Sequence, residues 1–381
     1  MPLKTGLALS GGGFRATLFA VGSLRRLNEA GLLKQMDTIT AVSGGAITAG
    51  HLLKHWSQLR FDQEGVASNF NSVVSDPLIQ FCQSNIDKTY GGLGLISPFH
   101  SIAESIESVY RKFFGDVLLR DIDVPDNCPD IVFYGTNYDT GSSVQITTRS
   151  LYDYKIGEAT NHDIRLAKAV IVSSSFPPFL APVELNGSHW NWKETQYSYL
   201  FDKAHLRHKL LLCDGGLYDN MGIEKLWKTG DKQEYERVFV SDAGAPFKIP
   251  YAYEDTFFGK IKNKIKWRKN WGSQFLRMTN IMIDQQRGLR TRQFVHNLID
   301  DECYQGAYWG IDTNIDTYPH VTPLLSYNKD TMALANLPTR LWSFPKGTDK
   351  KLINWAYALT DAALRSRYDR NIPPAQHLPF V

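Results

Sequence analysis

Over the first 56 residues the apolar positions alternate between strand-like runs and helix-like spacing. "TGLALS" (5–10) is a short apolar run ending at "GGG" (11–13), the mark of a buried strand that meets a glycine loop. From Ala16 to Leu33 the apolar residues Leu18, Phe19, Val21, Leu24, Leu27 and Leu32 fall at helical spacing. "TITAVS" (38–43) is the next strand and "GAITAGHLLKHW" (45–56) the next helix. A β-loop-α-β-α opening predicts a parallel sheet with right-handed crossovers.

The pattern is looser afterwards. Residues 57–128, with "YGGLGLISPF" at 90–99, read as helices and loops that cover the sheet. "DIVFYGTNYDTGSSVQITT" (130–148) predicts two strands joined at Thr140-Gly141-Ser142, a hairpin at a sheet edge. "IRLAKAVIVSSSFPPFLAP" (164–182) begins as a helix and breaks at Pro177-Pro178. "KLLLCDGG" (209–216) and "ERVFVSDAG" (236–244) are two more buried strands, each ending in an aspartate and a glycine. A closing helix is predicted over 349–368. No repeat or linker interrupts the chain. It reads as one α/β domain over 1–381, with a core over about 5–245 and a helical, basic extension over 246–381.

Composition narrows the setting. With 43% hydrophobic and 21% charged residues the 381-residue chain is globular, and a net charge of +3 does not by itself imply nucleic acid as a partner. Cys82, Cys128, Cys213 and Cys303 lie far apart, which argues against a zinc site or a disulfide framework and favours a reducing compartment. No metal and no cofactor are expected. The start "MPLKTGLALSGGG" lacks the charged-then-apolar pattern of a signal peptide, and nowhere do 18 apolar residues run together. The expectation is a cytoplasmic protein.

Three features fall at the C-terminal ends of predicted strands, the edge where open α/β sheets bind ligands. The first is "SGGGFRA", in which the amides of Gly11, Gly12 and Gly13 can converge on an anion ahead of a helix, with Arg15 beside them. It lacks the GK[ST] of a P-loop, and a merely permissive turn is the plain alternative. The second is Ala41-Val42-Ser43-Gly44-Gly45, close to the G-x-S-x-G elbow that presents a nucleophile. Ala41 stands where a glycine is usual and fits if that position needs no positive φ; a serine N-cap is the alternative for Ser43.

A nucleophilic serine needs a base. His51 and His55 sit on the helix directly after Ser43, too rigidly placed to reach back, so the strand-end aspartates Asp214 and Asp242 are the candidates. In "CDGGLYDN" Gly215 and Gly216 allow a tight turn that leaves Asp214 at the sheet edge, with Asn220 and Gly222 able to brace the loop. An aspartate that only bonds its own turn is the alternative. At its ordinary pKa of about 3.9 an aspartate is a poor base for a hydroxyl. The site must therefore be desolvated or must stabilise the alkoxide product.

"GGGFRA", "AVSGGA" and "DGGLYDN", in that order, resemble the patatin-like phospholipases, and are similar too to the catalytic domain of the cytosolic phospholipases A. The resemblance covers roughly residues 5–245, and "SSSFPPFLAP" (173–182) looks like the family's segment ahead of the aspartate. It implies a three-layer α/β/α fold with a mostly parallel sheet and helical insertions. It also implies hydrolysis of acyl esters of phospholipids through an acyl-enzyme, by a Ser-Asp dyad without histidine, metal or cofactor. Carried over, Ser43 is the nucleophile, Asp214 the base and then the acid, and the Gly11–Gly13 amides the oxyanion hole; Arg15 meets the lipid phosphate. The departure from the family's pattern is Ala41 for glycine.

The substrate implied is a membrane surface, to which the protein would attach peripherally. "FFGKIKNKIKWRKNWGSQF" (257–275) carries six basic residues between 260 and 269, interleaved with Phe257, Phe258, Ile261, Ile265, Trp267 and Trp271. Such a stretch suits an anionic bilayer; a surface helix with a packed Phe257-Ile261-Ile265 row is the plain reading. It carries no nucleic-acid motif. Some bacterial patatin-like enzymes that resemble this chain act as antiviral effectors, degrading the host membrane on a nucleotide signal, which would imply a nucleotide activator. The rival readings are a soluble esterase or thioesterase with the same dyad, and a catalytically inactive binding protein of the same fold.

Overall fold

Strand β1 (Lys4–Leu9) is buried along all but its first residue, and the sheet is built outward from it. The computed structural model describes residues 4–84, 102–177, 180, 182–247, 271–300 and 303–380. β1 pairs in parallel with β2 (Thr38–Ala41) on one side and with β10 (Tyr235–Asp242) on the other. β3 (Asp130–Asn137) extends the row beyond β2, and β11 (Gln305–Gly310) beyond β10. The parallel half of the sheet is thus ordered β11-β10-β1-β2-β3.

Past β3 the sheet continues as an antiparallel wing of β4 (Ser143–Ile146), β5 (Ser150–Asp153), β6 (Gly157–Thr160) and β8 (Asn191–Lys193). The β3–β4 hairpin is therefore not at a sheet edge, as the sequence suggests, but in the middle of a sheet with eleven strands among the described residues. The two remaining strands are β7 (Val183–Asn186) and β9 (Lys209–Asp214), which pair with each other.

β9 places the site. It runs antiparallel to β3, with Asp214 opposite Gly135, while β2 runs parallel to the first half of β3, with Ala41 opposite Phe133. β4 covers the other edge of β3. β2 and β9 therefore approach end to end along one edge of β3, and their C-terminal residues converge.

Side chains of β1 alternate between two apolar layers, as the period of a strand requires. Leu7 and Leu9 enter one layer with Phe14 and Leu18 of α1 (Gly13–Glu29), Ile47 of α2 (Gly44–His55), Val170 of α5 (Leu166–Ser174) and Leu352 of α10 (Thr348–Ala363). The short helix α3 (Asp76–Cys82) adds Leu78 to this layer and α4 (Ile102–Phe114) adds Tyr110. Ala8 faces the opposite layer, with Met221, Leu226, Val240 and Phe294 of α8 (Trp271–Ile299). Helices on both faces of a mixed sheet make a three-layer α/β architecture. The short helices α6 (Ala204–His208), α7 (Gly216–Asp219) and α9 (Lys329–Ala335) lie in the connections.

The described residues beyond 270 pack on this body. β11 belongs to the sheet, and α10 packs along α1, with the buried Arg26 guanidinium paired to Asp361 at 2.8 Å. Among the described residues no helix is long and apolar enough to cross a membrane.

Candidate active site

The turn between β2 and α2 carries Ser43 at φ 51° and ψ −116°. A non-glycine residue in that region stores roughly 1–3 kcal/mol of strain and persists only where its surroundings hold it. Here the Ser43 N–H donates to the Ser173 carbonyl oxygen at 3.1 Å and to Ser173 Oγ at 3.0 Å, at the end of α5. The Ser43 hydroxyl caps no N–H of α2, which removes the N-cap reading. It sits close enough to Asp214 to draw that carboxyl's pKa down.

Ala41 is the last residue of β2, opposite Leu9 and Phe133, and its φ is not positive. The condition for replacing glycine there is met. Gly44 and Gly45 are needed for a different reason, close approach: a Cβ would fall 2.0 Å from Gly13 O in the first case and 2.5 Å from Leu9 O in the second.

Asp214 is only 3% exposed. Its N–H donates to Ser175 O at 2.9 Å, and its carbonyl accepts from Thr136 Oγ1 at 2.9 Å. Oδ1 does bond its own turn, accepting the Gly216 N–H at 2.7 Å. Gly215 fits because a Cβ there would lie 2.6 Å from Tyr134 O. Burial pushes the Asp214 carboxyl up to about 7, against the downward pull of the Gly216 and Ser43 hydrogen bonds. The desolvation that an aspartate base requires is thus present.

Asp242, the other candidate, is engaged elsewhere. Its carboxylate accepts from Arg287 Nε at 2.7 Å, Tyr308 OH at 2.9 Å and Gly244 N–H at 2.8 Å. Burial opposes its charge, but the Arg287 cation and these hydrogen bonds outweigh burial and hold the carboxyl below its usual range. His51 bonds Val73 O through Nε2 at 2.9 Å, and burial lowers its pKa to about 4. That bond and stacking on the Phe113 ring hold the imidazole.

The glycine loop lies against the same turn, but only part of it is open. The Gly11 N–H donates to Asn220 O at 2.9 Å and is not available to an anion. Those of Gly12 and Gly13 donate to no group among the described residues, with φ of 147° and 59° turning the loop into α1.

Arg15 departs most from expectation. It is 1% exposed, its Nε donates to Ala243 O at 3.0 Å, and its Nη1 donates to Leu337 O. Burial and the nearby Arg287 cation lower its pKa to about 10. A guanidinium enclosed in this way ties the start of α1 to the carbonyls of Ala243 and Leu337 instead of lying open to solvent. The residues that sequence reasoning passed over are Ser173 and Ser175, which hold the Ser43 and Asp214 backbones. The run of three serines closing an apolar helix was their visible signal. The basic aromatic stretch over 257–270 lies outside the described residues.

A family model described as "Patatin-like phospholipase" matches residues 7–227. Among solved structures, human GIVD cytosolic phospholipase A2 is similar with a TM-score of 0.52 at 12% identity, over 94% of this chain and 59% of that one. The same human enzyme in complex with methyl gamma-linolenyl fluorophosphonate inhibitor and terbium chloride gives a TM-score of 0.51 at 13% identity, over 94% and 57%. At such identities the likeness is one of fold, and this chain spans less than two thirds of the human chain. No curated protein matches.

Proposed function

This chain belongs to the patatin-like phospholipase family, and from that premise we propose that it is a phospholipase A-type acyl hydrolase working through Ser43 and Asp214. One observation carries the reading: Ser43, on a strained turn, sits beside a buried carboxylate that burial pushes up to about 7. Such a carboxylate is matched to general-base work near neutral pH.

Asp214 takes the Ser43 Oγ proton as Oγ attacks the acyl carbonyl carbon, and the carbonyl π electrons move onto oxygen. The open Gly12 and Gly13 N–H groups, at the positive end of α1, stabilise that oxyanion. When the carbonyl re-forms, the ester C–O bond breaks and Asp214 returns its proton to the departing lysolipid oxygen. Water then attacks the acyl-Ser43 ester while Asp214 again accepts a proton. That proton goes back to Ser43 Oγ as the fatty acid leaves. No histidine is needed, because burial of Asp214 supplies the basicity.

A fluorophosphonate tests this, since the related human structure holds one described as an inhibitor. It should label Ser43 in the wild type and nothing in Ser43→Ala, and only the wild type should release fatty acid from phosphatidylcholine vesicles. Failure to label Ser43 in folded protein would favour an inactive binding protein. Labelling with turnover of soluble esters alone would favour a soluble esterase.

A further inference from the structure

Ser173 takes no part in the steps above, yet it touches the residue on which they depend. We propose that Ser173 is a positioning residue, whose hydroxyl and carbonyl oxygens together hold the Ser43 backbone in the conformation that aims its hydroxyl at Asp214. This rests on Ser43 being the nucleophile.

Three observations point to it. The three serines closing α5 behave differently. Ser174 and Ser175 send their hydroxyls back to Val170 O and Ile171 O, each at 2.7 Å, as serines in helices commonly do. Ser173 instead turns Oγ to the Ser43 N–H at 3.0 Å, beside its own carbonyl at 3.1 Å. Second, the same helix end holds the other partner, because Asp214 N–H donates to Ser175 O at 2.9 Å. Nucleophile and base are thus referenced to residues two apart at the C-terminus of α5, Ser173 within it and Ser175 directly after it. Third, Ser173 is fully buried, so water does not compete for the bond. α5 itself is fixed by Val170 and Val172 in the core.

Ser173→Ala deletes one of the two acceptors. The expected loss in kcat is about five- to tenfold, the size of one neutral hydrogen bond, with KM unchanged. A merely structural role would stop there. If Ser43 is loosened, however, its hydroxyl no longer lowers the Asp214 carboxyl, and the acid limb of kcat/KM should move above pH 7. Cys213 is the titratable neighbour on the same strand, and burial pushes its thiol up to about 12, so it stays neutral across that range. Among the described residues no charged side chain shifts the Asp214 carboxyl.

The experiment compares wild type, Ser173→Ala, Ser173→Thr and the control Ser174→Ala for kcat, KM and pH profile on a soluble ester. Amide exchange at Ser43 is measured in parallel. Support is a kcat loss, a raised acid limb and faster Ser43 exchange in Ser173→Ala, with Ser173→Thr and Ser174→Ala resembling wild type. Wild-type kcat, pH limb and exchange in Ser173→Ala would overturn the proposal. So would equal changes in Ser174→Ala, which would assign the effect to the helix end as a whole. If Ser173→Ala does not fold, Ser173→Val against the equally shaped Ser173→Thr makes the same comparison. Amide exchange reads the Ser173 bond even without turnover, so failure of the hydrolase reading remains distinguishable.

Discussion

Gly44 and Gly13 meet backbone to backbone: a Cβ on Gly44 would lie 2.0 Å from the Gly13 carbonyl oxygen. Thr17 Oγ1 closes the same junction by donating to Gly44 O at 2.9 Å. The first turn of α2 is therefore seated on the glycine loop. That contact puts the Ser43 turn and the open Gly12 and Gly13 amides in one place.

Gly44→Ala should force this junction apart. Overpacking of a well-filled interior costs about 1–3 kcal/mol, and a clash with backbone rather than a side-chain tip lies at the upper end. Hydrolysis of a soluble ester should fall at least tenfold, because the turn moves relative to the loop. Ala41→Gly is the contrast, since Ala41 has ordinary strand geometry. It should keep kcat within about twofold and lose about 0.5–1 kcal/mol to backbone entropy. Urea midpoints and kcat for both variants check this; an unperturbed Gly44→Ala would deny the contact.

The Asp214 carboxyl, raised from 3.8 to about 7, makes two opposed predictions. The proposed mechanism uses the carboxylate as base, so kcat/KM should fall as pH drops through about 7. Stability runs the other way. A group that holds its proton more tightly when folded contributes most below its unfolded pKa, and that contribution is lost as pH rises to the folded value. The difference corresponds to about 4 kcal/mol at the plateau. Asp214→Asn should therefore be inactive, match wild type in stability near pH 3.5, and exceed it by a few kcal/mol near pH 8. Denaturant unfolding at the two pH values decides, and a gap that does not grow with pH would contradict the buried-carboxylate reading.

What was legible in the sequence was local. The order β1, α1, β2, α2 follows from apolar spacing and glycine punctuation within a few residues, and the observed ends fall within a few positions of those expected. Ser43 and Asp214 stood out for the same reason, each being a polar residue closing an apolar run ahead of paired glycines. The direction of β9 was not legible. "KLLLCD" reads alike in a parallel or an antiparallel ladder, and only its pairing with β3 sets it head-on to β2. Nor was the fate of Arg15, which is decided by carbonyls 228 and 322 residues away in sequence. β11 passed unseen because "QGAYWG" offers a glycine and polar or aromatic residues in place of an aliphatic run.

Arg15→Gln should impair phospholipid and neutral short-chain ester turnover by the same factor. The guanidinium serves Ala243 O and Leu337 O beneath the glycine loop, and a buried acceptor left without a donor costs about 1–3 kcal/mol. Thermal stability should fall alongside activity. Parallel assays on phosphatidylcholine vesicles and a neutral ester check this; a loss confined to the phospholipid would restore the phosphate contact.

Arg287 on α8 supports the loop from further out, and its removal gives a prediction with a defined pH dependence. Asp242 is completely buried and paired to Arg287 Nε at 2.7 Å. The next residue, Ala243, holds Arg15 through its carbonyl and donates its N–H to Ser10 Oγ at 2.7 Å, directly before the glycines. Arg287→Ala leaves a buried carboxylate without its counter-ion, which costs about 3–5 kcal/mol. Because the folded Asp242 carboxyl sits below its usual range, the stability it contributes is present above the unfolded pKa and is lost as pH falls. Without Arg287, burial raises the Asp242 carboxyl in the variant, so the gap between wild type and variant should be widest at alkaline pH and narrow steadily as pH falls and the variant's Asp242 takes up a proton. Arg287→Lys restores the charge but not the planar fork that also reaches Asp312 at 3.5 Å, so it should recover only part of the loss. Urea unfolding of the three proteins across this pH range measures the effect, and a gap that stays constant with pH would place the cost in lost packing rather than in the ion pair.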